Sequence, residues 1–177
     1  QIVYSILNGN INAFKKLVNQ YERLVVAMIR RIVVDEEDIQ DISQEVFLKI
    51  YQNLSCFKFE SKLSTWIARI AYTTALYHVR KGLGKETLVL DTVDFGNEYH
   101  TAENPESILL AKNTSDYIHY QVSKLPLPYR TVLTLYHLNE LSYQEISEIT
   151  NMPQGTVKSY LFRARKLLKD KLKHYLK

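Results

Sequence analysis

The chain has 177 residues, a net charge of +4 from 23 Lys and Arg against 19 Asp and Glu, and 46% hydrophobic residues, which excludes a disordered chain. Its single cysteine, Cys56, excludes an intramolecular disulfide and a cysteine-rich zinc site. No apolar run approaches the ~20 residues of a membrane span, and no secretory signal opens the sequence, so we expect a cytoplasmic protein. Gln1 is not an initiator residue, so we also expect residues ahead of it.

The charge divides the chain into three segments. Residues 1–81 carry a net +3, residues 82–115 a net −4, and residues 116–177 a net +5. The middle segment also concentrates turn-forming Gly, Asn and Pro residues and has no sustained helical period. We therefore predict an acidic linker over 82–115 between two small domains, and an ordered acidic loop on one domain is the alternative.

Apolar residues of the first domain recur at helical spacing. The three stretches with this spacing are residues 11–32, 39–54 and 63–79. Ile11 opens the first stripe directly behind Asn10, a suitable helix N-cap, and Asp35 precedes the second stripe. The alternation typical of strands never lasts. We predict an all-α protein whose first domain is an antiparallel helical bundle, with a loop between the second and third helices.

The second of these helices carries an acidic face on the side away from its isoleucine stripe. The face consists of Asp38, Asp41, Gln44 and Glu45. Residues three, four and seven apart share one side of a helix, so these side chains lie together. The pattern fits a solvated face with the acidic bias of a helix start, and it also fits a docking face for a basic partner.

The third helix interleaves basic residues with aromatic rings. The basic residues are Lys62, Arg69, Arg80 and Lys81, and the rings belong to Trp66, Tyr72 and Tyr77. Cations neutralise phosphates and rings stack on unpaired bases, so this composition favours a nucleic-acid partner. For Trp66 alone, a position in the core is the favoured interpretation.

The second domain has the pattern of a helix-turn-helix. Ser142 and Glu145 form a capping box at the start of a short helix, and residues 151–153 form a tight turn. A long helix then extends from Gln154 to about Tyr175, with Leu167 in its apolar stripe. Because residues 153–177 carry a net +7, this helix is predicted to be a DNA recognition helix. A basic amphipathic helix that binds nothing, or one that lies on a membrane, is the alternative.

Two sets of motifs, one in each domain, carry a specific resemblance. The second domain contains LSYQEI at 141–146, GTVKS at 155–159 and RAR at 163–165. The first domain contains GNINAF at 9–14, DISQEVFL at 41–48 and STWIARIA at 64–71. The motifs of the second domain alone are also similar to a response-regulator output domain. Both sets together, in this order and spacing, resemble bacterial sigma factors of the small extracytoplasmic-function class over nearly the whole chain.

The resemblance implies an RNA polymerase sigma factor, which directs promoter-specific initiation, catalyses no reaction and needs no metal or other cofactor. The acidic face would dock on the clamp coiled coil of the largest core polymerase subunit, and the second domain would meet the flap of the second-largest subunit. The acidic linker would thread the polymerase's RNA path. An anti-sigma factor is a further expected partner, and the free protein is expected to be a monomer.

The resemblance also assigns DNA-binding residues. The loop 55–62 and the helix 63–81 would recognise and melt the promoter −10 element through Phe57, Lys58, Ser61, Lys62, Trp66, Arg69, Thr73, Tyr77, Arg80 and Lys81. The last helix would bind the −35 element through Thr156, Lys158, Ser159, Tyr160, Phe162, Arg163, Arg165 and Lys166. The chain departs from the family at Thr73, Tyr77 and Tyr160, where Asn, Asp and Arg are typical.

Two other functions remain as alternatives on the sequence. A stand-alone helix-turn-helix regulator would bind operator DNA without polymerase, as a dimer. An enzyme is the least favoured, because the five histidines are scattered without metal-ligand spacing and no Gly-rich phosphate loop is present.

Overall fold

The computed structural model describes residues 1–33, 35–82, 114–137 and 140–173. Within these ranges all regular structure is helical, and the chain forms two compact units. The predicted all-α fold is therefore confirmed for this part of the chain. The predicted acidic linker falls almost entirely outside the described residues. No helix within the described ranges is long and apolar enough to cross a membrane.

The N-terminal unit contains four α-helices. They are α1 (Ile2–Leu7), α2 (Ile11–Ile29), α3 (Glu36–Asn53) and α4 (Leu63–Gly82), with a 3-10 helix (Leu54–Cys56) after α3. α2, α3 and α4 pack on one another, and α1 packs on α2. The three predicted helices are confirmed. α1 was not predicted, because its six residues are too few for a helical period to show.

Side-chain caps determine where α2 and α3 begin. Asn10 Oδ1 accepts a hydrogen bond from the Ala13 amide at 3.1 Å. Asp35 Oδ1 accepts from the Glu37 and Asp38 amides at 2.9 and 3.2 Å. Three acidic residues in the first turn of α3 add a favourable interaction with the helix dipole. The start of α3, and with it the register of the acidic face, is therefore determined locally.

The predicted apolar stripes form the core of the N-terminal unit. Its most deeply buried side chains include Leu17, Val25, Met28, Ile29, Ile42, Val46, Ile50 and Ile67. Burying a side chain of this size contributes about 1.5–3 kcal/mol. The assignment of Ile11 to the apolar face was wrong, since Ile11 is 72% exposed. It is the first residue of α2 and precedes Ala13, the first residue of that helix to be buried.

The C-terminal unit contains α5 (Thr114–Ser123), α6 (Leu127–His137), the first part of α7 (Tyr143–Thr150) and α8 (Gln154–Lys173). α5 and α6 both pack against α8. The buried side chains of α8 are Val157, Leu161 and Ala164, all within its first 11 residues. Leu167 was also predicted to face the core, but it is 39% exposed because α8 extends beyond this packed part. The predicted end near Tyr175 lies outside the described residues.

Candidate functional site

α7 and α8 form the predicted helix-turn-helix. The capping box is present, because the Glu145 amide donates to Ser142 Oγ at 3.2 Å and the Ser142 amide donates to Glu145 Oε2 at 2.9 Å. Asn151 turns the backbone with φ of 59°. Ser147 Oγ then donates to the Met152 carbonyl at 2.6 Å. These bonds hold the turn from which α8 starts.

The start of α8 presents a polar and basic surface on the side away from its buried stripe. The exposed side chains there are those of Lys158, Ser159, Phe162 and Arg163, followed by Arg165 and Lys166. Phe162 is 70% exposed, which leaves a bare ring among the polar groups. Thr156 and Tyr160 are partly buried, and Tyr160 packs edge-on against Tyr129. The structure thus places all eight predicted −35 residues within the first 13 of the 20 residues of α8.

Two tyrosines that the sequence did not assign to DNA binding lie beneath the cations of this surface. Tyr136 of α6 and Tyr143 of α7 stack with ring centroids 5.2 Å apart and planes at 18°. Lys158 Nζ lies 5.5 Å from the Tyr143 centroid, and Arg165 Cζ lies 5.1 Å from the Tyr136 centroid. A cation–π contact at an exposed site is worth about 0.5–1 kcal/mol. The stacked pair therefore restricts where both cations lie.

Arg165 has a second neighbour on α6. Its Nε donates to His137 Nε2 at 3.1 Å, so that ring nitrogen must be unprotonated. Partial burial, and after it the charge of Arg165, lowers the pKa of His137. The contact therefore favours a neutral imidazole and leaves the positive charge of the pair on Arg165.

The acidic face of α3 is only partly outward. Asp38, Asp41 and Gln44 are exposed, as predicted. Glu45 was predicted to join them, but its side chain is 33% exposed and bonds to neighbouring side chains. The negative charge available to a partner on this face is therefore concentrated on the two aspartates.

Glu45 links α3 to α4. Its Oε1 lies 2.7 Å from Lys49 Nζ, and its Oε2 lies 2.5 Å from His78 Nε2 on α4. Lys49 Nζ also donates to Thr74 Oγ1 on α4 at 3.3 Å. Partial burial alone would raise the pKa of Glu45, but the hydrogen bonds from Lys49 and His78 outweigh it, and the pKa is lowered. Glu45 therefore helps to hold α3 against α4, and it adds little exposed charge to the acidic face.

The loop before α4 carries Phe57, and the other predicted −10 aromatic residues, Trp66 and Tyr77, lie on α4 itself. Phe57 is only 7% exposed, and its ring packs on Trp66 with centroids 5.5 Å apart. Trp66 itself is partly exposed, so the favoured assignment of this ring to the core is correct for only part of its surface. Lys58 and Lys62 are exposed, and Ser61 is partly buried. Phe57 therefore packs beneath the surface formed by Trp66 and the exposed lysines and is hardly accessible itself.

The remaining −10 residues follow one side of α4. Arg69, Thr73 and Tyr77 are four residues apart, so they share a side, and all three are exposed. Thr73 Oγ1 donates to the Arg69 carbonyl at 2.9 Å, so its hydroxyl hydrogen is already engaged by its own helix. Arg80 is partly buried and Lys81 is exposed at the end of the row. The predicted residues form a continuous strip from the loop along α4.

The described part of the chain offers no metal centre. No group of three or more His, Cys, Asp or Glu side chains there is arranged to hold a metal ion. His78 and His137 each contact a charged side chain, and Cys56 is an exposed thiol without a disulfide.

Two family matches cover the two units. The sigma-70 region 2 family matches residues 17–83, and the sigma-70 region 4 family matches residues 115–168. Among solved structures, CnrH in complex with the cytosolic domain of CnrY has a TM-score of 0.68 at 19% identity, over 98% of this chain and 96% of that one. RpoE of Bartonella quintana, in complex with the anti-sigma factor NepR, has a TM-score of 0.66 at 20% identity, over 90% and 96%. These two structures share the fold.

Full-length relatives are more similar in sequence. The RNA polymerase sigma-H factor of Pseudomonas aeruginosa is 33% identical over 100% of this chain and 95% of its own length. The sigma-E factor of Escherichia coli is 33% identical over 97% and 92%, and SigW of Bacillus subtilis is 32% identical over 97% and 95%. Identity above 30% over whole chains, with both sigma-70 regions in order, establishes the relationship. The chain belongs to the extracytoplasmic-function class of RNA polymerase sigma factors.

Proposed function

We propose that this sigma factor holds the −35 element with α8 and opens the −10 element with α4 and the loop before it. The observation that carries the proposal is the exposed surface of Lys158, Ser159, Phe162 and Arg163 at the start of the second helix of a capped helix-turn-helix. In this motif the first residues of the second helix reach base edges in the major groove.

Each group on α8 suits a different part of duplex DNA. Arg163 can donate two hydrogen bonds to a guanine edge, and the exposed Phe162 ring can contact a thymine methyl. Arg165 and Lys166 lie further along the helix and suit phosphates, which position the protein without reading sequence. Since Tyr136 and Tyr143 hold Arg165 and Lys158 in place, less side-chain entropy is lost on binding.

The strip along α4 suits DNA that is no longer paired. Extruding a base from a duplex costs a few kcal/mol, which stacking and polar contacts must offset. Trp66 offers a partly exposed ring, Tyr77 is 48% exposed, and the cations at Lys58, Arg69 and Lys81 can track the backbone. Polymerase supplies the chemistry of transcription, and membership of a family of initiation factors fits a role without catalysis.

The acidic face of α3 is proposed to bind core polymerase. Asp38 and Asp41 supply the charge, Gln44 adds an exposed amide, and Glu45 holds α3 against α4. We assign this face to the clamp coiled coil of the largest subunit and the C-terminal unit to the flap of the second-largest. The acidic segment 82–115 is proposed, from its sequence, to follow the RNA path between them.

An anti-sigma factor is the proposed regulatory partner. RpoE was solved in complex with the anti-sigma factor NepR, and CnrH was solved in complex with the cytosolic domain of CnrY. Both RpoE and CnrH share the fold of this chain. We expect a monomeric protein that acts in the cytoplasm, where it would alternate between this partner and core polymerase.

Transcription reconstituted with core polymerase and a promoter library tests the proposal. Promoter-dependent transcripts that appear only with the protein are expected, and they would also reveal the promoter sequence. Transcription no higher than with core alone would overturn it. Tight binding to duplex DNA by a dimer without polymerase would instead support a stand-alone regulator.

A further inference from the structure

A row of four aromatic rings connects α1 to α4. Trp66 packs on Phe57 at 5.5 Å, Phe57 on Phe59 at 4.7 Å, and Phe59 on Tyr4 at 5.4 Å with planes at 15°. The inner Phe57 ring is 7% exposed, whereas Phe59 is 52% and Tyr4 61% exposed. The row therefore ends in two large, nearly parallel rings that face solvent.

The backbone at Phe59 makes this exposed ring more unusual. Its φ of 59° lies in the left-handed region, which is unfavourable for a bulky residue. A half-exposed ring contributes little burial to offset that cost. Strained residues often lie where a structure meets a ligand. The fold alone gains little from Phe59, so a ligand for this ring is the better explanation.

The surroundings of the two rings match a nucleic acid. Lys58, directly before Phe59, is exposed, as are Lys62 and Arg69, while Glu60 is the one carboxylate from 57 to 69. Cations that track a phosphate backbone and flat rings that take bases are the two components of a single-strand site. The residues directly before and after Phe59, Lys58 and Glu60, are both charged and exposed, which suits a polar, charged partner.

We propose that Tyr4 and Phe59 form a stacking platform for one unpaired base, next to the strip along α4. The platform brings α1, which no motif assigned to DNA, into contact with the melted strand. This inference rests on the proposed −10 function and adds two residues to it. Because stacking needs only a π-face, the platform binds any base and strengthens the grip on the open strand without selecting its sequence.

Photo-crosslinking tests the platform directly. The full-length protein, bound to core polymerase, is mixed with a short random-sequence single-stranded DNA that carries iododeoxyuridine in place of thymidine, irradiated, and mapped by mass spectrometry. Crosslinks at Tyr4 or Phe59 are expected. Crosslinks confined to Lys58 of the loop, or to Trp66 and other residues of α4, would overturn the platform and leave the −10 proposal intact. Crosslinks absent from the whole N-terminal unit would contradict both.

Phe59→Gly separates binding from folding, because it removes the ring and also relieves the left-handed backbone. Unchanged or higher thermal stability is expected, with about 5- to 30-fold weaker affinity of the holoenzyme for the same DNA. Tyr4→Ala should weaken affinity similarly, and Tyr4→Phe should keep it. Ile11→Ala removes another exposed apolar side chain of this unit and should leave affinity unchanged.

Two outcomes would overturn the proposal. One is wild-type affinity for Phe59→Gly and Tyr4→Ala together. The other is self-association of the wild-type chain, measured by sedimentation without polymerase, that disappears in Phe59→Gly, because the rings would then pair two copies of the protein.

Discussion

Aromatic rings lie at both proposed DNA-binding surfaces, but they face different groups. In the N-terminal unit, Tyr4 and Phe59 end a row of rings and are exposed to solvent. In the C-terminal unit, Tyr136 and Tyr143 stack beneath Lys158 and Arg165, so cations cover the rings. The exposed pair of the N-terminal unit can stack on an unpaired base, whereas the two covered tyrosines position charge against duplex DNA. The one exposed ring described on α8, Phe162, is proposed to contact a thymine methyl instead.

The difference teaches that residue type alone does not identify the form of DNA that a surface binds. Both units are basic and rich in Tyr, Phe or Trp, so their compositions suggest the same partner. On the proposed function, the arrangement separates them into a surface for melted DNA and a surface for a double helix. The acidic face of α3 adds a third proposed target in the same N-terminal unit, and its effects should be separable from both.

The largest expected effect is at the acidic face of α3, which is proposed to bind core polymerase. Asp41→Lys should weaken affinity for core polymerase by about 2–4 kcal/mol, roughly 30- to 1,000-fold. The reason is that it places a positive charge against the basic partner surface that the acidic face is proposed to bind. Binding competition against a labelled reference sigma factor measures this. Glu22→Lys, an equal charge change at an exposed residue of α2, is the control and should have little effect. Loss of −35 duplex binding by Asp41→Lys would contradict the separation of surfaces.

Next in size is the effect at α8. Arg163→Ala should lower affinity for a −35 duplex by about 1–3 kcal/mol and relax selectivity at one base pair. Lys166→Ala should weaken binding to all duplexes equally. With about four phosphate contacts, the slope of log affinity against log salt should be near −3.6 and change to roughly −2.7 in this variant. Equal slopes for the two proteins would show that Lys166 contacts no phosphate.

A smaller effect tests whether the C-terminal rings support cations. Tyr143→Leu should reduce −35 duplex affinity by about 0.5–1 kcal/mol, because Lys158 loses the ring beneath it. Tyr143→Phe retains the ring and should bind like wild type. Fluorescence anisotropy with duplex and single-stranded probes distinguishes the roles. A larger loss for the single strand than for the duplex would break the contrast between the two units.

The smallest effect concerns the link between α3 and α4. Glu45→Gln should lower the free energy of unfolding by about 0.2–1 kcal/mol near neutral pH. The folded state lowers the pKa of Glu45, so its contribution is present above the ordinary carboxyl pKa and disappears as pH falls through the lowered value. Urea denaturation at about pH 7 and about pH 3.5 should show the two proteins converging in acid. A difference in the free energy of unfolding that persists in acid would show that Glu45 stabilises the fold by packing and not by its charge.

Features that depend on neighbouring residues were predictable from the sequence. Asn10, Asp35 and Ser142 cap their helices as expected, because a cap needs only the next two or three amides. The apolar stripes likewise identified most of both cores. Ile11 and Leu167 are the exceptions, because periodicity gives the side of a helix but not how far along it a neighbour packs.

Features that depend on distant parts of the chain were not predictable. The Tyr136–Tyr143 stack and the Glu45–His78 bond join different helices, and no spacing in the sequence reports such contacts. Tyr4 was missed for the same reason, since its neighbour Phe59 is far along the chain. Contacts of this kind determine whether a predicted site residue is exposed, as the bond to His78 does for Glu45. The structure therefore changed the roles of Glu45 and Phe57 more than it changed the fold.

Footprinting of one open complex tests the central contrast most directly. Holoenzyme on a promoter selected from the library is probed with DNase I for protected duplex and with permanganate for unpaired thymines. We expect −35 protection that Arg163→Ala weakens and −10 reactivity that Trp66→Ala weakens, each leaving the other signal largely in place in a preformed complex. Permanganate reactivity that depends on Arg163 alone, or no reactivity with the wild-type protein, would contradict a division between a duplex-binding unit and a strand-binding unit.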